Sequence, residues 1–167
     1  MATKAFIIIR LEDSDQGRII RFTPEGLPYP VEISPTQKDP LPEILLDGKY
    51  FACHNLTDSY PEWLGEELKA NYTTRERILN LCAGGIYDTI KGHFNREAKE
   101  LPEGKFCIKN SLACTSFDWE MNRPTLYKDF IALKDDITHN VLHYAYLFDG
   151  GKWRYLDIVN GKQWEEL

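Results

Sequence analysis

The amino-acid sequence predicts one α+β domain, built on a largely antiparallel sheet with two or three short helices packed on one face. Three observations support this prediction. The length of 167 residues suits a single hydrophobic core. Runs rich in β-branched and aromatic residues alternate with short stretches of helical periodicity, in the order β-β-β-α-α-β-β-α-β-β. Glycine and proline turn signals separate these runs.

The first strand is expected at Lys4 to Leu11, which is apolar on both faces. Such a run is typical of a strand at the centre of a sheet, covered on both sides. Turn-forming residues follow at Ser14 to Gly17, and a second apolar run covers Arg18 to Thr23. The two runs therefore predict an antiparallel hairpin.

A proline-rich segment follows, from Pro24 to Pro42. Proline fixes φ and removes a backbone donor, so regular structure is disfavoured there. Only a short edge strand from Val31 to Ile33 is expected. We interpret the segment as an arm or insertion of the single domain 1–167.

The central part of the chain predicts a strand followed by two helices. Residues 48–54 have strand composition, and Tyr60, Leu64 and Leu68 recur at the four-residue spacing of a helix over about 61–70. Thr73 and Glu76 form a capping-box pattern that begins a second helix. Gly84-Gly85 is expected to end it, because glycine adopts the left-handed conformation without a Cβ penalty.

The C-terminal half predicts further strands and one more helix. Two β-rich runs separated by the glycine turn at 149–151 indicate a terminal hairpin. The complete set of expected elements is a short helix near 94–99, strands at 105–109 and 112–117, a helix near 126–133 opened by Pro124, the hairpin strands 142–148 and 152–158, and a final strand containing Trp164.

Charge and cysteine content restrict the expected partners. The 20 basic and 26 acidic residues give a net charge of −6, without a basic stripe. Direct nucleic-acid binding is therefore not expected. No apolar run approaches the ~20 residues that cross a bilayer, so we expect no membrane partner. The four cysteines lack metal-ligand spacing and indicate reduced core thiols in a cytoplasmic protein.

The richest polar stretch is His54 to Glu62, at the predicted junction of a strand and a helix. Such a junction can direct an imidazole, carboxylates and a phenol toward one point, beside the free amides of a helix start. We therefore predict that His54, Asp58 and Tyr60 converge in an open concavity. The alternative is structural: Asp58 or Ser59 caps the helix, Glu62 complements its dipole, and His54 is a half-buried core side chain.

These residues resemble a family of small proteins encoded by tailed phages and prophages. The likeness rests on His54, on Asp58 to Glu62, and on the Thr-Arg-Glu helix start at 74–76, which are similar to the family's His-Trp-Asp-Gly-Tyr-Pro-Glu motif and following helix. Residues 143–153 resemble its C-terminal Glu-Tyr-x-Tyr-Leu-Phe hairpin. The family's tryptophan after the histidine is absent, as are both arginines of its acidic motif near Asp118 and Glu120. The resemblance implies phage origin and fold rather than a mechanism.

We interpret the polar residues of these motifs as a ligand-binding set. His54 and Arg75 would contact a phosphate, Tyr60 would stack on a base, and Asp58 would accept from an amine or hydroxyl. The full set of candidate residues is His54, Asp58, Tyr60, Glu62, Arg75, Asp118 and Glu120. Asp118 and Glu120 alternate on a strand end, but solvated carboxylates are the simpler interpretation. No metal and no cofactor are expected.

Three functions remain open. The first is a phage or mobile-element accessory protein that acts by binding in the bacterial host, as a counter-defence factor that sequesters a small anionic ligand such as a nucleotide or inhibits a host protein. The second is a small hydrolase or phosphodiesterase with His54 as general base and Asp58 orienting it. The third is a pure protein–protein inhibitor that uses its acidic surface and proline-rich arm. The sequence favours binding over catalysis.

Overall fold

The structure is a computed structural model of the whole chain. It describes residues 3–29, 31–33, 41, 43–90, 105–108, 114–116, 124–140, 142–161 and 163–167. For 31–33, 105–108 and 114–116 only the backbone is described. The helix expected near 94–99 lies outside these residues.

Twelve strands and three α-helices are formed by the described residues. The strands are β1 (Ala5–Arg10), β2 (Ile19–Arg21), β3 (Val31–Ile33), β4 (Glu43–Leu45), β5 (Tyr50–Asn55), β6 (Ile86–Tyr87), β7 (Lys105–Ile108), β8 (Cys114–Ser116), β9 (Thr125–Tyr127), β10 (Tyr144–Asp149), β11 (Lys152–Asp157) and β12 (Glu165–Glu166). The helices are α1 (Glu66–Asn71), α2 (Arg75–Ala83) and α3 (Phe130–His139), with a π-helical turn at Pro61–Gly65 and 3-10 turns at Asp13–Asp15 and Pro24–Gly26. None of the helices in the described ranges is long and apolar enough to span a membrane.

The main sheet runs in the order β12-β11-β10-β1-β5-β6-β8-β7-β3, with β9 also paired to β5. Among the described strands, only the β1–β10 and β5–β6 pairings are parallel. The predicted α+β class with a largely antiparallel sheet is therefore confirmed. As expected, β1 is central and its first five residues are buried.

Two apolar cores cover the two faces of the sheet. On the first, which we call the α2 face, Ile7 and Ile9 of β1 pack with residues from α1 and α2. On the second, the α3 face, Phe6 and Ile8 pack with Leu133 and Ile137. Successive side chains of a strand point to opposite faces, so β1 contributes to both cores. The helices therefore lie on both faces, and the expectation of a single helical face was wrong for α3.

Several predicted elements are confirmed by the structure. β5, β10 and β11 occupy the expected segments, and β10 and β11 pair as an antiparallel hairpin. Gly150 and Gly151 form its turn with φ of +62° and +80°. The short strand β3 lies at the end of the main sheet, as an edge strand should. Nearby, Leu27 is buried and the Tyr29 hydroxyl donates to Glu67 at 2.5 Å, so this part of the proline-rich segment packs on the domain.

Two predicted elements were wrong. β2 does not form a hairpin with β1 but pairs with β4 in a separate two-stranded sheet. The helix expected from about residue 126 begins later: β9 extends along β5 first, and α3 starts after Asp129, whose side chain accepts from the Ala132 amide. In both cases tertiary pairing outweighed the local pattern.

Helix α2 follows the predicted segment closely, with a shifted cap. The side chain of Thr74, rather than Thr73, accepts from the Arg77 amide. Gly85 follows the helix with φ of +85°, the left-handed conformation expected at the stop. Ile78, Leu79 and Cys82 are buried against the sheet as the periodicity predicts.

A buried carboxylate connects β1 to α2. Asp15 is 2% exposed and accepts from the Glu12 amide, from Arg18 at 3.2 Å and from Arg75. Arg75 also donates to the backbone carbonyl of Arg10 at 3.1 Å. A buried charge is tolerated only when it is paired and hydrogen-bonded. This cluster therefore fixes the end of β1 against the start of α2.

We expect Asp15→Asn to lower the free energy of unfolding by about 2 kcal/mol, because it removes the charge that two guanidinium groups share. Asp13→Asn, in the same 3-10 turn but exposed, is the matched control and should change it by less than about 0.5 kcal/mol. Urea denaturation of both variants measures the difference. Equal effects of the two substitutions would contradict the structural role of Asp15.

Candidate functional site

The predicted strand–helix junction is a tightly bonded turn. Asn55, the last residue of β5, is fully buried, and its side-chain amide donates to the Thr57 carbonyl at 2.6 Å and to Ser59 Oγ at 3.0 Å. Its side-chain oxygen accepts from the Ile90 amide at 3.0 Å. Asp58 has φ of +53°, a left-handed conformation that reverses the chain here. These polar residues build the turn.

The same turn is bonded to β10. Ser59 is fully buried, and the Tyr146 hydroxyl donates to its carbonyl at 2.6 Å. Tyr60 then precedes the π-helical turn without capping it through a side chain. Neither Asp58 nor Ser59 caps this helix, so the capping role expected in the structural alternative was wrong. The turn holds Tyr60 in a fixed position at the start of the helical segment.

His54 lies on the α3 face. Its ring packs on Phe6, with the ring centroids 4.6 Å apart, and Phe6 belongs to the core that α3 covers. Burial lowers the pKa of His54, and the Asp136 carboxylate offsets part of that effect. The imidazole is therefore neutral near pH 7. This location agrees with the half-buried core histidine of the structural alternative.

Tyr60 and Glu62 lie on the opposite face. Tyr60 contacts Tyr144, whose ring packs against the α2-face core. Because His54 and Tyr60 are separated by the sheet, the predicted convergence of His54, Asp58 and Tyr60 was wrong. Between the two residues the chain leaves β5 through the turn in which Asp58 has φ of +53°.

Arg75 is also far from His54. It binds at the Arg10 end of β1, whereas His54 pairs with Phe6 near the other end of that strand. Its guanidinium is engaged by Asp15 and lies 3.6 Å from Glu12. Arg75 is therefore part of a structural cluster. Asp118 and Glu120, the remaining predicted ligand residues, lie outside the described part of the chain.

Five aromatic rings form a continuous strip on the α2 face. We call Trp63, Tyr60, Tyr144, Tyr146 and Tyr155 the aromatic strip. Successive ring centroids along it are 5.5, 5.9, 6.3 and 6.4 Å apart, within the range of favourable aromatic contacts. Tyr146 is buried beneath the others, while Tyr60 is 43% and Trp63 is 48% exposed. The strip thus presents large aromatic surface on a rigid support.

Carboxylates surround the aromatic strip. Burial, Asp157 and Glu62 raise the pKa of Tyr144, and a hydrogen bond to Glu165 at 3.0 Å is the largest cause that raises the pKa of Tyr155. No ion pair between described residues uses any of these three carboxylates. The strip is therefore both aromatic and electronegative.

The nearby basic residues of β11 point away from the strip. Lys152 and Arg154 alternate with Trp153 and Tyr155, so their side chains leave the sheet on the α3 face. Lys152 lies 3.8 Å from Glu166, which alternates with Glu165 in the same way. The strand alternation therefore separates the charges, with carboxylates beside the strip and cations on the other face.

Sequence reasoning missed Trp63, Tyr144 and Tyr155 as surface residues. The alternation of Tyr144, Tyr146 and Phe148 in β10 places them on one face, which is a readable signal. What the pattern could not supply was the antiparallel register that sets Tyr146 opposite Tyr155, or the turn that brings Tyr60 beside Tyr144. Both depend on long-range packing.

Metal-binding chemistry has no support in the described residues, where no group of three His, Cys, Asp or Glu side chains could hold an ion. His139 ends α3 with its ring 3.3 Å from Asp135, while His143 accepts from the Lys4 amide at 3.1 Å. Cys53 and Cys82 are free and buried.

Comparison with known proteins gives no match: no family model fits the chain, and neither a curated protein nor a solved structure is significantly similar to it.

The buried imidazole of His54 should make stability pH-dependent. An unfolded histidine titrates near its ordinary value of 6.5, but the folded one has a lowered pKa. The unfolded state therefore binds more protons below that pH, and the free energy of unfolding falls as the pH drops. We expect the free energy of unfolding of the wild-type protein to depend more steeply on pH than that of His54→Gln, by up to about 1.4 kcal/mol per pH unit. Urea denaturation between about pH 7.5 and about pH 5.5 measures both slopes.

Ile131→Ala, which alters an exposed side chain without a titratable group, is the control and should retain the wild-type slope. A His54→Gln variant with the same pH dependence as wild type would show that the imidazole is not buried in solution.

Proposed function

We propose that the protein is a phage- or mobile-element-encoded accessory protein that acts in the bacterial cytoplasm by binding and inhibiting a host protein. The phage origin rests on the sequence resemblance described above. The binding mode rests on one observation, the exposed aromatic strip bordered by carboxylates that form no ion pair with a described residue. In this proposal the aromatic strip binds a segment of the host protein that contains arginine or lysine.

The exposure of Trp63 and Tyr60 supports a binding role. Large aromatic side chains are usually buried in a monomer, and they are the residues most enriched at the energetic centres of protein interfaces. Here both rings are held by contacts to the strip and by the turn that Ser59 and Tyr146 fix. A partner would therefore meet a preorganised surface, which lowers the entropic cost of binding.

The charge distribution supports a cationic partner. Aromatic faces attract ammonium and guanidinium groups, and Glu62, Asp157 and Glu165 supply carboxylates within the same patch. The net charge of −6 adds long-range attraction for a basic surface. The same carboxylates would repel a phosphate, which disfavours a nucleotide or nucleic acid at this surface.

Sequestration of a small anionic ligand and hydrolysis receive less support from the geometry than inhibition of a protein. A small anionic ligand would need His54, Tyr60 and Arg75 together, but the first two lie on opposite faces and the third is engaged by Asp15. A hydrolase would need Asp58 to orient His54, whose ring instead packs on Phe6. Inhibition by protein binding requires neither arrangement.

A basic peptide provides a direct test. We expect a fluorescein-labelled nona-arginine peptide to bind the wild-type protein and Trp63→Ala to weaken that affinity about fivefold or more, because a cation–π contact is lost. Fluorescence anisotropy measures both affinities. Ile131→Ala, which removes another exposed apolar side chain from the α3 face, should bind as wild type does.

Charge variants separate the strip from general acidity. The double variant Glu62→Gln/Glu165→Gln should bind the peptide more weakly, and its affinity should depend less on salt concentration. The double variant Asp135→Asn/Glu166→Gln removes the same charge elsewhere and should have a smaller effect on affinity. His54→Ala should leave affinity unchanged. Equal losses of peptide affinity in the two double variants would show that binding depends only on net charge, and would contradict the proposed surface.

A further inference from the structure

A cavity lies on the α3 face, on the other side of the sheet from the aromatic strip. It has a volume of about 430 Å³ and lies between α3 and the C-terminal strands β11 and β12. This volume is in the range of pockets that hold small molecules. We call it the α3 pocket, and its lining consists of Phe130, Lys134, Ile137, Thr138, Leu156, Ile158, Gly161 and Trp164.

Most of the lining is apolar. Ile137 is buried, Leu156, Ile158 and Trp164 are half-buried, and Phe130 is 44% exposed. The indole of Trp164 and the branched side chains provide walls suited to an aliphatic or aromatic group. The Thr138 hydroxyl is already satisfied, since it donates to the Lys134 carbonyl at 2.8 Å. The pocket can therefore favour an apolar group.

Among the described residues that line the pocket, Lys134 is the charged one. No described carboxylate forms an ion pair with it, and the neighbouring Asp135 is paired with His139 instead. A positive charge over an apolar cavity is distinctive in a chain with net charge −6. The pocket therefore offers one cationic contact and several apolar ones.

We propose that the α3 pocket binds a small amphipathic monocarboxylate, a molecule with one carboxylate and an aliphatic or aryl tail. The tail packs against Leu156, Ile158 and Trp164, and the carboxylate pairs with Lys134. A polyanion such as a nucleotide would meet one cation, Lys134, among the described lining residues, and a cationic ligand would be repelled. This site is independent of the protein-binding surface proposed above, because the two lie on opposite faces of the sheet.

Binding of octanoate and of its neutral counterpart octanol tests the proposal. Octanoate is used below its critical micelle concentration and octanol below its solubility limit. We expect wild-type protein to bind octanoate at least about fivefold more tightly than octanol, measured by calorimetry, because only the carboxylate pairs with Lys134. Lys134→Met keeps the aliphatic stem and should remove this preference while leaving octanol affinity unchanged. Lys69→Met, on the opposite face, should retain it.

Nuclear magnetic resonance locates the ligand. Octanoate should shift the indole N–H resonance of Trp164 and leave that of Trp63 unchanged. Equal affinities for octanoate and octanol in both wild type and Lys134→Met would instead identify the pocket as a dock for an apolar side chain of a protein. Absence of binding by either probe would also overturn the proposal, as would a shift confined to Trp63.

Discussion

Burial of β1 on both faces is the constraint on which the rest of the molecule depends. Ile7 and Ile9 enter one core, and Phe6 and Ile8 enter the other. Since side chains alternate along a strand, each neighbouring strand must divide its residues between the same two cores. Every side chain of β5 and β10 is therefore assigned to the α2 face or the α3 face by its register against β1. Large-to-small substitutions in β1 would cost about 2–5 kcal/mol each.

This division also determines what each face can do. On the α2 face, β10 and β11 contribute Tyr144 and Tyr155 to the aromatic strip, while Lys152 and Arg154 leave on the other side. Asp157 and Glu165 therefore lie beside the strip, and the pocket lined by Lys134 of α3 lies on the other face. The two faces of the sheet thus differ in chemistry.

The sequence allowed much of the fold to be predicted but little of the site. Strong local signals identified β5, the end of α2 at Gly85 and the terminal hairpin, because each depends on neighbouring residues. The pairing of β2 with β4 could not be read locally, since the intervening prolines gave no register. His54 and Tyr60 are close in sequence, yet His54 packs on the α3-face core and Tyr60 contacts Tyr144 on the α2 face. Proximity along the chain was a poor guide to proximity in space.

We propose that the aromatic strip is the surface by which the protein binds its partner. Site-specific photo-cross-linking in bacterial cells tests it most directly, with the photoreactive residue at position 63 or at position 131, whose natural side chains are 48% and 78% exposed. We expect the photoreactive residue at position 63 to form a cross-link to one discrete host protein. This cross-link should disappear when Glu62 and Glu165 are both replaced by glutamine, and position 131 should form no cross-link. The same cross-linked species from both positions, or from position 131 alone, would contradict it.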